Sequence, residues 1–216
     1  MGILRGAGSS VQECTNNAEV RIAGKNNSYY DDTNDPSAEA SAWSLGGIVG
    51  FGAGVVETPI RIVNCTNTAL CSGARGYVGG IAGYVRYAEI SNSKHESASN
   101  KVQGANTSVR VGGITGYLDL SKVKECSMIG TVDGVNNAYT GGISGGMNAT
   151  AVIESSVVNG TVTNSGAGGE VGAIVSYSVE GAKIISCTAT GQIGIGSEMR
   201  DITTADFDAS GLATIE

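Results

Sequence analysis

Proline, charged residues and aromatic residues other than tyrosine are all scarce in this sequence. It has 2 prolines, 2 phenylalanines, 1 tryptophan and 1 histidine, and charged residues make up 15% of it. A disordered chain would carry more charge and fewer β-branched residues, and an ordinary helical domain would be richer in leucine, lysine and glutamate. The 34 glycines and the 41% of apolar residues instead favour thin coils that bury narrow rows of side chains.

Basic clusters and long apolar runs are also missing. Nucleic-acid binding depends on clustered lysine and arginine, and the net charge here is −7, so no nucleic-acid partner is expected. No apolar run approaches the roughly 18 residues that would cross a bilayer, so no membrane insertion is expected. The first six residues lack the charged and apolar regions of a signal peptide. Either the leader is absent from this chain or the protein is intracellular, and the sequence leaves both open.

What the sequence does have is an internal repeat centred on Gly-Gly-Ile-x-Gly. The motif begins at Gly46, Gly79, Gly112 and Gly141, and a degenerate copy, Gly-Ala-Ile-Val-Ser, begins at Gly172. The successive spacings are 33, 33, 29 and 31 residues. A period of this length is typical of stacked repeat architectures.

Two further columns recur with the same period, and their first copy, at residues 11–20, has no glycine motif before it. In the first, Val or Ile stands three residues before Cys or Ser, in the pairs Val11/Cys14, Ile62/Cys65, Ile90/Ser93, Val123/Cys126, Ile153/Ser156 and Ile184/Cys187. Six residues later comes an apolar residue, in the set Val20, Cys71, Val132, Val162 and Ile193. In the third repeat, Val102 takes this place after an insertion of three residues. Each repeat thus offers three β-prone segments separated by the turn formers Gly, Asn and Ser.

These columns predict an all-β fold, a right-handed parallel β-solenoid (β-helix) of about six coils of roughly 31 residues, with three short strands per coil. The solenoid is expected over residues 1–196, with a loop insertion at about 25–43, and residues 197–216 are expected to form a C-terminal cap or tail. Propeller blades need about 40 residues and four strands, so a propeller is disfavoured. The predicted core ladders are Ile48, Ile81, Ile114, Ile143 and Ile174, and Cys14, Cys65, Cys126 and Cys187 with Ser93 and Ser156.

The repeat resembles the GLUG-motif family, whose units read Gly-Gly-Ile/Leu-Val-Gly, then Ile-x-Asn-Cys, then Gly-x-Val. The closest stretches are residues 45–50, 62–66 and 157–162, and the resemblance covers about residues 3–196. The chain departs from the pattern at Ser93 and Ser156, where Cys is replaced, and at Ala173 and Ser176, where Gly is lost. The resemblance implies an extracellular, often cell-surface bacterial module without chemistry of its own. Such repeats also flank the catalytic domain of zinc-dependent immunoglobulin A proteases.

The single histidine restricts the sites that the chain can build. His95-Glu96 begins like a zinc-protease helix signature, but the second histidine is missing, and a serine triad would have to use this same histidine. Glu13 and Glu125 share a column, but Asn64 and Asn92 separate them, so no acid pair of a glycosidase is indicated. We therefore expect His95 in an exposed loop, no catalytic residues and no cofactor.

The cysteines are expected to be free thiols. Cys65 and Cys126 lie two predicted coils apart, about 9.6 Å at the ordinary strand spacing, which exceeds the roughly 7 Å that a disulfide can span. Cys14 and Cys65 lie on adjacent coils, where in-register parallel neighbours have poor bonding geometry. The number of cysteines, 5, is also odd.

Two sets of residues are candidates for binding. The insertion carries Tyr29 and Tyr30 beside a cluster of acids, Asp31, Asp32 and Asp35, which is a weak candidate for calcium. The residue directly after each glycine motif is aromatic in four of the repeats, giving the row Phe51, Tyr84, Tyr117 and Tyr177, with Gly146 in the fourth repeat. This row could bind sugar rings, or it could simply cover a sheet.

The expected function is a non-catalytic structural or adhesive surface module, a rigid scaffold that presents loops to a protein or glycan partner. The expected localisation is extracellular or at the cell surface. A carbohydrate-active β-helix enzyme, lyase or hydrolase, and a subunit that self-associates end to end into a filament are the alternatives.

Overall fold

The computed structural model describes residues 2–22, 43–104, 109–136 and 138–216. These residues form short strands, and their only helix is a 3₁₀ turn at Thr204–Asp206. Strands of successive repeats pair in parallel and in register. The predicted parallel β-solenoid is therefore confirmed.

Four sheets run along the stack, numbered here by their order within a repeat. Sheet 1 consists of Ser44–Gly46, Tyr77–Gly79, Arg110–Gly112, Tyr139–Gly141 and Glu170–Gly172. Sheet 2 consists of Ile3–Arg5, Val49–Ala53, Ala82–Arg86, Thr115–Asp119, Ser144–Gly146 and Val175–Tyr177. Sheet 3 consists of Ser10–Gln12, Ile60–Val63, Ala88–Ser91, Lys122–Lys124, Val152–Glu154, Lys183–Ile185 and Thr214–Ile215. Sheet 4 consists of Thr15–Asn16, Val20–Ile22, Thr66–Asn67, Cys71–Gly73, Lys94–Gly104, Ser127–Gly134, Val157–Asn164, Thr188–Ile195 and Glu198–Asp201.

The prediction of three strands per coil is wrong, because the glycine motif is divided between two strands. Sheet 1 ends at the first glycine of the motif, the chain bends through the next two residues, and sheet 2 begins at the fourth. The strands on either side of this bend pass very close together. A Cβ atom added at Gly112 would lie 2.1 Å from the carbonyl oxygen of Thr115 and 2.7 Å from the nitrogen of Gly145. Only glycine fits at this approach, which explains the motif.

The isoleucines of the motif form a continuous ladder at the bend. The N–H of Ile81 donates to the carbonyl of Ile114 at 2.9 Å, and the same bond joins Ile114 to Ile143 and Ile143 to Ile174. These four side chains are fully buried in the core, and Ile48 at the first level is partly buried against it. Stacking of identical side chains thus supplies the dry interior that a single coil could not form.

The third apolar column aligns as predicted, including its insertion. Val102 pairs in register with Cys71 on one side and with Val132 on the other. The three extra residues are accommodated as a bulge between Glu96 and Lys101, so the columns on both sides keep their neighbours. The prediction for Val102 is therefore confirmed.

The last residues close one end of the stack. Glu198–Asp201 pairs antiparallel with Thr188–Ile195, and Thr214–Ile215 adds a final strand to sheet 3. The carbonyl of Phe207 accepts hydrogen bonds from the N–H groups of Ile174 and Val175, and its ring is 7% exposed against the core. The edge of the last coil is therefore covered by this segment.

Candidate binding surface on sheets 1 and 2

The aromatic row lies on sheet 2, where in-register pairing places one ring above the next. Phe51, Tyr84 and Tyr117 are direct neighbours in adjacent strands. The rings of Phe51 and Tyr84 stack with centroids 5.5 Å apart, and those of Tyr84 and Tyr117 stack at 5.8 Å. Offset stacking at these distances is favourable for aromatic rings, so the row is a packed ladder.

A second column, on sheet 1, packs against this row. Its successive members are Ser44, Tyr77, Arg110, Tyr139 and Glu170. The ring of Tyr77 lies 5.2 Å from that of Tyr84 and 5.6 Å from that of Tyr117. The ring of Tyr139 meets that of Tyr177 edge to face at 5.9 Å. The two columns therefore form one surface.

Arg110 lies at the centre of four tyrosines on this surface. Its guanidinium carbon is 4.9 Å from the ring centroid of Tyr117, 5.3 Å from that of Tyr177, 5.5 Å from that of Tyr139 and 5.8 Å from that of Tyr77. At these separations a cation is attracted to each ring face. We call Arg110 with Tyr77, Tyr117, Tyr139 and Tyr177 the Tyr–Arg surface.

The glycine in the aromatic row makes room for this arginine. At Gly146 a Cβ atom would lie 2.8 Å from a ring carbon of Tyr117 and 3.1 Å from Cδ of Arg110. The stem of Arg110 therefore crosses the place where a side chain at 146 would stand. The missing ring in the row is replaced by an arginine from the neighbouring sheet.

Two phenols of the aromatic row, those of Tyr84 and Tyr117, have raised pKa values. Burial raises the pKa of Tyr117, and the charge of Arg110 opposes that rise. Burial also raises the pKa of Tyr84, and so does its hydrogen bond to Asp119, whose Oδ2 accepts from the phenol at 2.7 Å. At neutral pH the half-buried Tyr117 therefore offers an uncharged hydroxyl, whereas the hydroxyl of Tyr84 is already bonded to Asp119.

The aromatic residues of the row predicted from the sequence differ in their exposure to solvent. Phe51 is fully buried and Tyr84 is 8% exposed, so these two rings form packing under the surface. Arg110, Tyr117, Tyr139 and Tyr177 are all half-buried, so part of each meets solvent. Sequence reasoning missed Tyr77, Arg110 and Tyr139, although all three stand two residues before the first glycine of the motif.

The other binding candidates lie outside the described residues. These are Tyr29 and Tyr30 and the calcium candidate Asp31, Asp32 and Asp35. Within the described part of the chain, no three His, Cys, Asp or Glu side chains come together in a way that could hold a metal ion. No helix among the described residues is both long and apolar enough to cross a membrane.

The prediction that His95 lies in an exposed loop is wrong. His95 is fully buried in sheet 4, in register with Asn67 and Met128. Its Nδ1 lies 3.0 Å from Nδ2 of Asn67. Successive side chains of a strand point to opposite faces of the sheet. Because the neighbouring Lys94 and Glu96 are exposed, His95 points into the interior.

The cysteines are free thiols, as predicted. Cys65, Cys71 and Cys126 are buried, whereas Cys14 and Cys187 are partly exposed. Burial raises the pKa of Cys71 and of Cys126 to about 12. These thiols therefore act as small core side chains rather than as nucleophiles.

A cavity of about 460 Å³ lies beside sheet 3, under the turn that Val55 and Thr58 close with an antiparallel bridge. Its walls include Val56, Pro59 and Tyr87. Lys122 on its rim pairs with Glu154. The wall of the cavity that the turn forms is therefore mainly apolar. The cation at the cavity, Lys122, is already paired with Glu154.

Comparison with known proteins bears on the fold. No family model and no curated protein matches this chain. The structure is similar to the crystal structure of a "putative immunoglobulin A1 protease" from Bacteroides ovatus, with a TM-score of 0.52 and 19% sequence identity. The match covers 99% of this chain and 63% of that one, so this chain spans less than two thirds of its structural neighbour. At this identity the likeness shows a shared fold.

Proposed function

We propose that this chain is a non-catalytic binding module, a rigid β-solenoid that presents the Tyr–Arg surface to a glycan. The observation that carries the proposal is the cluster of four half-buried tyrosines around Arg110, held in place by the in-register strands of sheets 1 and 2.

The chemistry of this surface suits a sugar. Tyrosine offers a broad apolar face for the C–H side of a pyranose ring and a hydroxyl for its polar edge. Arginine adds several N–H donors. The side chains are already ordered by stacking on one another, so binding would require little further loss of conformational entropy.

The wider setting is also a proposal. We propose that the module works outside the cell, on a bacterial surface, as the resemblance of its repeats to GLUG-type modules implies. The similarity to a structure named as a putative immunoglobulin A1 protease is compatible with a role as a scaffold in a surface protein.

A glycan array tests the proposal most directly. We expect the intact protein to bind a defined set of glycans, and we expect Tyr177→Ala to weaken that binding at least about tenfold, as for a central aromatic contact. The matched control is Tyr87→Asn, which removes a tyrosine outside the surface. Asparagine tolerates the positive φ of 49° at that position.

Three results would contradict the proposal. Absence of any glycan binding would show that glycans are not the ligand. Unchanged binding by Tyr177→Ala would show that the Tyr–Arg surface is not the binding site. Release of new reducing ends from a bound polysaccharide would show a carbohydrate-active enzyme. A variant lacking residues 26–42 distinguishes the insertion from the Tyr–Arg surface, because our proposal expects this deletion to keep the binding.

A further inference from the structure

Resting on the proposed function, we infer that Arg110 makes the Tyr–Arg surface selective for a sugar that carries a carboxylate. The tyrosines supply the face on which the ring lies, and the guanidinium supplies the partner for the acid.

The hydrogen-bonding edge of Arg110 is unused. Among the described residues the guanidinium of Arg110 donates no hydrogen bond and forms no ion pair. Its Nε is buried without a partner. The contacts that it makes are with the faces of the tyrosine rings. A ring face attracts the charge but leaves the N–H groups at the edge of the guanidinium unsatisfied.

Several cations of the described chain have carboxylate partners, whereas Arg110 has none among the described residues. Arg200 pairs with Asp206, Lys101 with Asp133 and Lys122 with Glu154. Because Nε is buried, a ligand can reach only the Nη groups, and a carboxylate there accepts a stronger, charge-assisted hydrogen bond than a neutral hydroxyl does. A carboxylate fits the edge best, since it can accept two parallel N–H bonds from one guanidinium.

The nearest acid in the same column does not fill this role. Glu170 stands two strands away from Arg110, beyond Tyr139, a separation of about 9.6 Å at the ordinary strand spacing. Glu170 is exposed and forms no ion pair with any described residue. It leaves Arg110 available to a ligand.

The net charge of the whole protein further restricts the kind of acidic ligand that we expect. With a net charge of −7, the chain repels a uniformly anionic polymer, whereas the guanidinium of Arg110 attracts a single acid placed beside it. The preferred ligand is therefore a single acidic sugar within an otherwise neutral glycan, such as one uronic acid or one terminal sialic acid.

Matched pairs of glycans test this inference. One arm compares an oligosaccharide containing glucuronic acid with its carboxyl-reduced form, and a second arm compares a sialylated oligosaccharide with its desialylated form. We expect the acidic member of at least one pair to bind roughly 10- to 100-fold more tightly, the range for hydrogen bonds to a charged group. Polygalacturonate is expected to bind more weakly than the glycan with one acid.

Variants at position 110 separate charge from packing. Arg110→Met keeps an apolar stem across Gly146 and should abolish the preference for acid while keeping the weaker binding of the neutral member. Arg110→Lys keeps the charge without the planar fork and should retain part of the preference. The control is Arg61→Met, an exposed arginine on sheet 3, which should leave both glycans unaffected.

The outcomes separate this inference from the proposed function. If no glycan binds, the proposed function fails and this inference with it. If glycans bind with equal affinity for the acidic and neutral members, or if Arg110→Met keeps the preference, only this inference is overturned. Equal binding of an Asp- and Glu-rich peptide would likewise overturn it, because the site would then recognise carboxylates without recognising a sugar.

Discussion

At the scale of single residues, the corner between sheets 3 and 4 explains why Cys and Ser alternate in one column. The residue before each of them has a positive φ, between 48° and 55°, in the set Glu13, Asn64, Asn92, Glu125, Ser155 and Ser186. The thiol of Cys126 donates to the carbonyl two residues earlier at 3.3 Å, and the hydroxyl of Ser156 does the same at 2.9 Å. Ser156 Oγ also accepts from the N–H of Cys126 at 3.2 Å. A small side chain that can donate to a carbonyl therefore secures this corner, and Cys or Ser can do so.

The burial of these thiols leads to a labelling prediction. With a pKa of about 12, Cys71 and Cys126 are almost entirely protonated at pH 8, and the thiolate is the reactive form. Iodoacetamide at pH 8 should therefore leave both unmodified in the native protein and alkylate the partly exposed Cys14 first, as followed by mass spectrometry of peptides. All five thiols should react once the protein is unfolded in guanidinium. Labelling of Cys126 as fast as Cys14 in the folded protein would contradict its burial.

At the scale of elements, the close approach of sheets 1 and 2 is the feature on which the repeat depends. The first glycine of each of the four complete motifs faces backbone atoms of the neighbouring strand and of the next coil. At Gly79 a Cβ atom would lie 1.9 Å from the carbonyl oxygen of Ala82 and 2.7 Å from Cα of Thr115. Backbone atoms cannot move aside as the end of a flexible side chain can. The same approach brings the Tyr77 column against the Phe51 row, so the Tyr–Arg surface depends on these glycines.

Replacing one such glycine should be severe. We expect Gly112→Ala to destabilise the protein by about 3 kcal/mol or more, since its Cβ would meet three backbone atoms within 2.7 Å. The control, Gly2→Ala, has its nearest neighbour at 4.0 Å and should change stability by less than about 0.5 kcal/mol. Urea unfolding followed by circular dichroism measures both. Equal stability of the two variants would show that sheets 1 and 2 are not in contact through glycine.

At the scale of the whole molecule, the solenoid is a one-dimensional stack whose end is closed by the last residues. The closure includes a bidentate contact between Arg200 and Asp206, and Asp206 also accepts from the N–H of Thr203 at 2.8 Å and from its hydroxyl at 2.9 Å. The carbonyl of Asp206 accepts from Ala173 on the last coil. The position of the closing segment is therefore tied to the charge of one carboxylate.

This tie should give the stability a defined dependence on pH. The Arg200 guanidinium holds the pKa of Asp206 at about 2, below its ordinary 3.8. A lowered folded-state pKa contributes stability above the unfolded pKa and loses it as pH falls through the folded one. We expect Asp206→Asn to be less stable than the parent at pH 7, and the difference to shrink between about pH 4 and pH 2. Thermal unfolding at pH 7, 4, 3 and 2 measures it, and a constant difference across this range would contradict the assignment.

The sequence by itself determined the parallel stack and the identity of its columns. Each residue of a coil lies directly over its equivalent in the next coil, so the same type of side chain is required once per repeat. Spacing alone therefore locates Ile114 over Ile143, and it locates Val102 over Val132 despite an insertion. The row of Phe51, Tyr84, Tyr117 and Tyr177 was predictable for the same reason, and it includes two of the four tyrosines of the Tyr–Arg surface.

Only the tertiary structure decided which columns face one another. The bend inside the glycine motif, which adds the fourth strand, follows from how closely two backbones approach, and no single position in the repeat records that distance. The same contact places Arg110 among tyrosines 7 to 67 residues away in the chain. The burial of Phe51 and Tyr84 could not be predicted from the sequence, because their exposure depends on the sheet that packs against them. Equivalent positions along the stack are encoded by periodicity, whereas contacts across the coil depend on its cross-section, which periodicity does not specify.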